Sequence, residues 1–198
     1  MKNFEYELPE GYREVYRIDA LDKKTGLVMN IAALLISAVT ILLLLIPLFT
    51  GAISVKDDPF AVALIALGSS IGIFAYIILH ELVHGAAYKL LTGEKLTFGF
   101  GWSCAFCGVP HIYVNRGTAF ISLVSPLIAF TVLFGALITL FAFISAELYL
   151  VVSIIFCMHL GGCVGDMYVT GLLLFKLRHK GILMRDTGPM QTFYIPEA

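Results

Sequence analysis

The chain has 198 residues and a formal net charge of −1. Apolar residues make up 59% and charged residues 14%, against about 25% charged in soluble domains. That balance removes any electrostatic case for nucleic-acid binding. It also excludes a soluble domain, because a chain of this size could not hide so much apolar surface, whereas a bilayer could.

In chain order, residues 1–26 are polar and carry both signs of charge. They read as a cytoplasmic N-terminal segment without a cleavable signal, so insertion is expected through the first span itself. Residues 25–55 contain no charged side chain, and 27–50 is predicted as the first transmembrane helix, since about 20 residues cross the hydrocarbon. A short turn with Lys56, Asp57 and Asp58 follows. The second span is expected over 60–91, stopped by Thr92-Gly93. Residues 94–116 change in texture: Thr97 to Trp102 and Ile112-Tyr113-Val114 favour extended structure, while the glycines and Pro110 break helix. A short β-hairpin or re-entrant loop is expected there, at the interface or packed on helices. Its aromatic residues Phe98, Phe100, Trp102 and Phe106 suit interfacial anchoring. An open hairpin edge could bind a substrate as an added strand.

The third span is predicted over 117–145, with Pro126 inside it, and the fourth over 148–175, with a cytoplasmic tail at 176–198. The class expected is therefore an all-α integral membrane protein, one polytopic domain of four transmembrane helices with a short β-hairpin or re-entrant loop between helices 2 and 3. Lys and Arg cluster before the first span, around the 94–116 loop and after the fourth span; none lies between the third and fourth. The positive-inside rule then places a multi-pass protein in the cell membrane with both termini cytoplasmic.

The chemistry concentrates in the second span, in His80-Glu81-Leu82-Val83-His84. A helix puts residues i and i+4 on one face, so His80 and His84 can chelate one ion. Two neutral imidazoles suit Zn²⁺, the ion draws the pKa of its water toward about 7, and the adjacent Glu81 carboxylate can take the proton and return it to a leaving amine. The bland reading, a helix end meeting headgroups, explains one polar residue more readily than three at this spacing in an apolar helix.

A catalytic zinc usually has a third protein ligand. Asp166 is the lone carboxylate within the fourth span. His80 lies nine residues before Lys89 and Asp166 ten before Lys176, so both sit about 14 Å from a basic marker at about 1.5 Å per residue. That match supports a site shared with the histidines near the inner leaflet; the bland alternative for Asp166 is a helix-end aspartate pairing with a neighbouring helix. His159, seven residues earlier, falls on roughly the same helical face and is a candidate second partner of the site, although a hydrogen-bonded interior histidine is the simpler expectation. Gly161, Gly162 and Gly165 suit close helix packing. Ser125-Pro126 lies at matching depth, where a proline frees a backbone carbonyl and kinks the helix. Cys104 and Cys107, with His111 nearby, form a lone CxxC without a second pair, and are read as loop cysteines with no assigned chemistry.

The string His80-Glu81-Leu82-Val83-His84-Gly85, the later Gly165-Asp166 and the tail Arg185-Asp186-Thr187-Gly188 resemble a bacterial membrane-protein family of unknown function described as zincin peptidases. That family in turn looks like the site-2 proteases, which place HExxH on one transmembrane helix and an aspartate ligand on a later one. The resemblance implies His80, His84 and Asp166 as zinc ligands and Glu81 as the catalytic carboxylate. Ser125-Pro126-Leu127 is similar to a Gly-Pro segment of site-2 proteases, without the asparagine expected soon after it, and Asp166 lacks the usual Leu-Asp-Gly setting. The function expected is a membrane-embedded zinc metallopeptidase acting on membrane or membrane-proximal protein substrates. A non-catalytic pseudoprotease scaffold is the alternative and a metal transporter the third reading, the latter disfavoured because no polar groups continue toward the outer face.

Overall fold

A computed structural model describes residues 3–100 and 105–197. In chain order its elements are β1 (Phe4–Glu5), β2 (Tyr12–Asp19), α1 (Lys23–Phe49), α2 (Pro59–Thr92), β3 (Thr97–Phe100), β4 (Ala105–Gly108), β5 (Tyr113–Asn115), α3 (Arg116–Phe141), α4 (Ala146–Gly162), α5 (Val164–Gly171), a π-helical turn (Leu172–Lys176), β6 (Leu183–Asp186) and β7 (Met190–Pro196). The chain is mostly helical, and α1, α2, α3 and the stretch Ala146–Lys176 are each long and apolar enough to cross a membrane. α1 has no buried residue; side chains such as Leu34, Leu42 and Phe49 are exposed, which is stable only in an apolar solvent.

The all-α expectation is corrected by a five-stranded antiparallel sheet of order β1-β5-β6-β7-β2. Four of its strands come from the terminal segments that composition marks only as polar. β7, Met190-Gln-Thr-Phe-Tyr-Ile-Pro196, is rich in aromatic and β-branched residues, which suit a pleated surface. β2 pairs with it from Tyr12↔Pro196 to Asp19↔Met190, with a bulge between Glu14 and Tyr16. β3 and β4 pair antiparallel in a separate two-stranded sheet where the hairpin is expected. Cys104 and Trp102 lie outside the described residues.

The chain forms two compact units. The first comprises Met1–Met29, Leu79–Pro126 and Gly165–Ala198. Its core includes Tyr88, Ile112, Leu123, Leu173, Met184 and Phe193, all buried. The second comprises Asn30–Ile78 and Leu127–Val164. There α1 meets α4 through polar and small groups rather than bulk, as helices must where lipid is as apolar as leucine. The Ser37 hydroxyl donates to the Cys157 carbonyl at 2.9 Å and the Tyr149 hydroxyl to the Leu44 carbonyl at 2.6 Å. A Cβ added at Gly161 would lie 3.0 Å from the Ala33 carbonyl oxygen and collide with Ser37 Oγ, so the glycine is needed for that approach.

Candidate functional site

The helix that carries the histidines is fixed at both ends. Asp58 precedes it and accepts the Ala61 N–H at 2.8 Å, with Pro59 as first helical residue, an arrangement suited to a helix start. At the other end Gly93 takes φ +73° and donates its N–H to the Lys89 carbonyl at 2.9 Å, a left-handed stop that glycine adopts freely. Lys89 Nζ also donates to the Gly93 carbonyl at 2.7 Å. The register of His80, Glu81 and His84 within α2 is therefore set from a firm terminus.

All three proposed ligands belong to the first unit. His80 Nε2 and His84 Nε2 stand 3.1 Å apart, and Asp166 Oδ2 lies 3.3 Å from the first and 3.4 Å from the second. A tetrahedral site with bonds of about 2.0–2.2 Å has ligand atoms about 3.3–3.6 Å apart; the two edges to Asp166 match one face of such a site, and the edge between the imidazoles is slightly shorter. His84 Nδ1 donates to the Ser122 carbonyl at 2.8 Å, which leaves Nε2 as the lone pair facing Asp166, the outer support that metal-binding imidazoles usually have. Acceptor atoms this close need positive charge among them, from a metal ion or from protons on the rings. The side chains are not sealed: His80 and His84 each keep 10% of their surface and Asp166 17%. α4 ends at Gly162 and Asp166 sits in the first turn of α5, where a carboxylate is favoured by the helix dipole.

Glu81 is half-buried beside this cluster, and the backbone N–H of Cys107 in β4 points at its carboxylate. One turn on, Gly85 lets the small sheet close in: a Cβ there would meet Phe98 at 2.8 Å and Leu96 at 3.0 Å. Burial, followed by the negative charges of Glu81 and Asp186, pushes the Cys107 thiol up to about 12. It therefore stays a neutral thiol.

His159 lies in the second unit, where Tyr76 Oη and Thr131 Oγ1 each stand 3.0 Å from one of its ring nitrogens. One turn residue, Cys163, separates α4 from α5. Ser125 bonds back to its own helix, its hydroxyl donating to the Ile121 carbonyl at 2.6 Å.

Sequence reasoning missed the pair Tyr88 and Asp186. Tyr88 is one turn beyond His84 on the same face, and its hydroxyl donates to Asp186 Oδ2 at 2.6 Å. The Gly188 N–H donates to the other carboxylate oxygen at 2.8 Å, and both side chains are buried. The Arg185-Asp186-Thr187-Gly188 string was the available signal, but nothing in it names a partner 98 residues away. Burial raises the Asp186 carboxyl from 3.8 to about 6, against the pull of Tyr88 and Gly188. A carboxyl raised on folding contributes stability that is fully present below its unfolded value and lost as pH climbs through the folded one. Tyr88→Phe removes the leading stabiliser of the anion. It is expected to cost about 1.5–3 kcal/mol at pH 7.5, as for a hydrogen bond to a charged group, and clearly less at pH 5. Thermal unfolding in detergent at the two pH values checks this; an equal loss at both would contradict it.

Residues 73–179 match the family described as "Putative zincin peptidase". No curated protein and no solved structure matches the chain.

Proposed function

The chain belongs to this zincin peptidase family, and from that premise we propose that it is a membrane-embedded zinc metallopeptidase whose ligands are His80, His84 and Asp166. Family membership supports a metallopeptidase with a zinc cofactor, and the four long apolar helices fit a membrane protein. The observation that carries the residue assignment is the 3.1–3.4 Å triangle of two imidazole nitrogens and one carboxylate oxygen.

Zinc held there would polarise a scissile carbonyl and bring the pKa of its water to about 7. Glu81 accepts a proton from the attacking water and delivers it to the departing amine nitrogen. His84, tied through Nδ1 to Ser122, keeps its tautomer and orientation throughout. The substrate is a membrane protein or membrane-proximal peptide, approached from the cytoplasmic side, with both termini of the enzyme cytoplasmic. A site inside apolar helices and made of HExxH plus a distant aspartate is similar to site-2 proteases, and cleavage within or beside the bilayer follows from that likeness.

Detergent-purified protein is expected to carry about one zinc per chain. Chelation should abolish its hydrolysis of quenched-fluorescent peptides, and added zinc should restore it. Protein that purifies without zinc and binds none on addition, or activity indifferent to chelation, defeats the reading.

A further inference from the structure

α3 carries Pro126 within its length. In an α-helix each N–H donates to the carbonyl four residues back, and proline has no N–H. The carbonyl left without its helical donor is that of Ser122. Ser122 is fully buried, at 0% exposure, so water does not substitute, and an unpaired buried carbonyl is costly. The donor it receives is His84 Nδ1–H, at 2.8 Å, from a different helix. The hydroxyl of Ser122 takes no part: among the described residues Oγ has no hydrogen-bond partner.

We propose that Pro126 is a positioning residue for His84: by withholding one backbone N–H from α3 it reserves the Ser122 carbonyl for the His84 imidazole, and so fixes the ring whose Nε2 faces His80 and Asp166. This rests on the metal-site reading given above. With any other residue at 126, a backbone N–H placed within the helix competes for that carbonyl at no entropic cost. His84 then loses the bond that selects its tautomer, and its Nε2 is free to carry the proton instead of the lone pair. The sequence feature that does this is four residues from the carbonyl, and its effect travels through the backbone.

The test is zinc affinity of the full chain in detergent, measured by competition with a chromophoric chelator, with thermal stability followed in parallel. Pro126→Ala is expected to weaken zinc binding roughly 10–100-fold, the usual effect of losing an outer partner of a metal-bound histidine. Replacing residue 126 with lactic acid, which has alanine's methyl group but an ester oxygen in place of N–H, should restore affinity to near wild type. If Pro126→Ala binds zinc like wild type, or if the lactic acid variant is as weak as Ala, the missing N–H is not what matters and the proposal is overturned. His84→Ala calibrates the assay: zinc affinity unaffected by that change would instead overturn the metal-site reading itself.

Discussion

Glu81→Gln is expected to keep its zinc and to lose about 10²–10⁴-fold in peptide hydrolysis, the range for removing a positioned general acid–base. Glutamine matches the glutamate in volume, and its amide oxygen can still accept the Cys107 N–H that points at position 81. Packing of β4 against α2 should therefore survive, and so should the histidine pair on the neighbouring positions. What the amide lacks is a lone pair basic enough to take a proton from water. The loss should fall on kcat rather than KM, because the interaction removed is made only as the reaction proceeds. Zinc content by atomic spectroscopy and turnover of a quenched peptide, measured on the same preparation, separate the two effects. Hydrolysis equal to wild type would exclude Glu81 from the mechanism.

Asp166→Ala should lower zinc affinity by roughly 10²–10³-fold. Structural zinc binding totals about 10–16 kcal/mol over four ligands, about 2.5–4 kcal/mol for each, and about 1.4 kcal/mol is a factor of ten. The aspartate is also an anionic group in direct contact with both imidazoles, so its removal takes charge as well as a ligand atom. The readout is competition with a chelator of known affinity. Binding as tight as wild type would move the third ligand elsewhere and leave Asp166 as a helix-end residue.

The sequence carried the helices and the histidine spacing well, because both depend on local periodicity. His80 and His84 are four residues apart on a helix, and that alone aligns their rings. Bringing Asp166 beside them required an argument about depth, using Lys89 and Lys176 as markers; its carboxylate lies 3.3–3.4 Å from both rings. The sheet was not legible for two reasons. β5 and β6 have three and four residues, too short to show alternation without their partners. β2 is long enough, but its bulge between Glu14 and Tyr16 shifts the pattern midway. The pairs Tyr88–Asp186 and His84–Ser122 join residues 98 and 38 positions apart. No local pattern encodes such meetings. The turn at Cys163, where α4 gives way to α5, is marked by no proline, so the sequence did not announce it.

The order of strands in the five-stranded sheet also sets a timetable. β6 and β7, which follow the other strands in chain order, lie inside the sheet, while β1 and β2, which precede them, lie at its edges. Among the described residues β2 pairs with β7 alone and β1 with β5 alone. β2 must therefore wait through translation of every helix before its partner exists, whereas β1 can meet β5 as soon as residue 115 is made. Closure joins residue 12 to residue 196, a contact of nearly maximal sequence separation, and such long-range pairings form slowly. A chain cut before Met190 would leave β2 without a mate and one edge of β6 open, and exposed edges of this kind invite pairing with other chains. The unit that holds the two histidines and Asp166 is completed only after β7 has been synthesised.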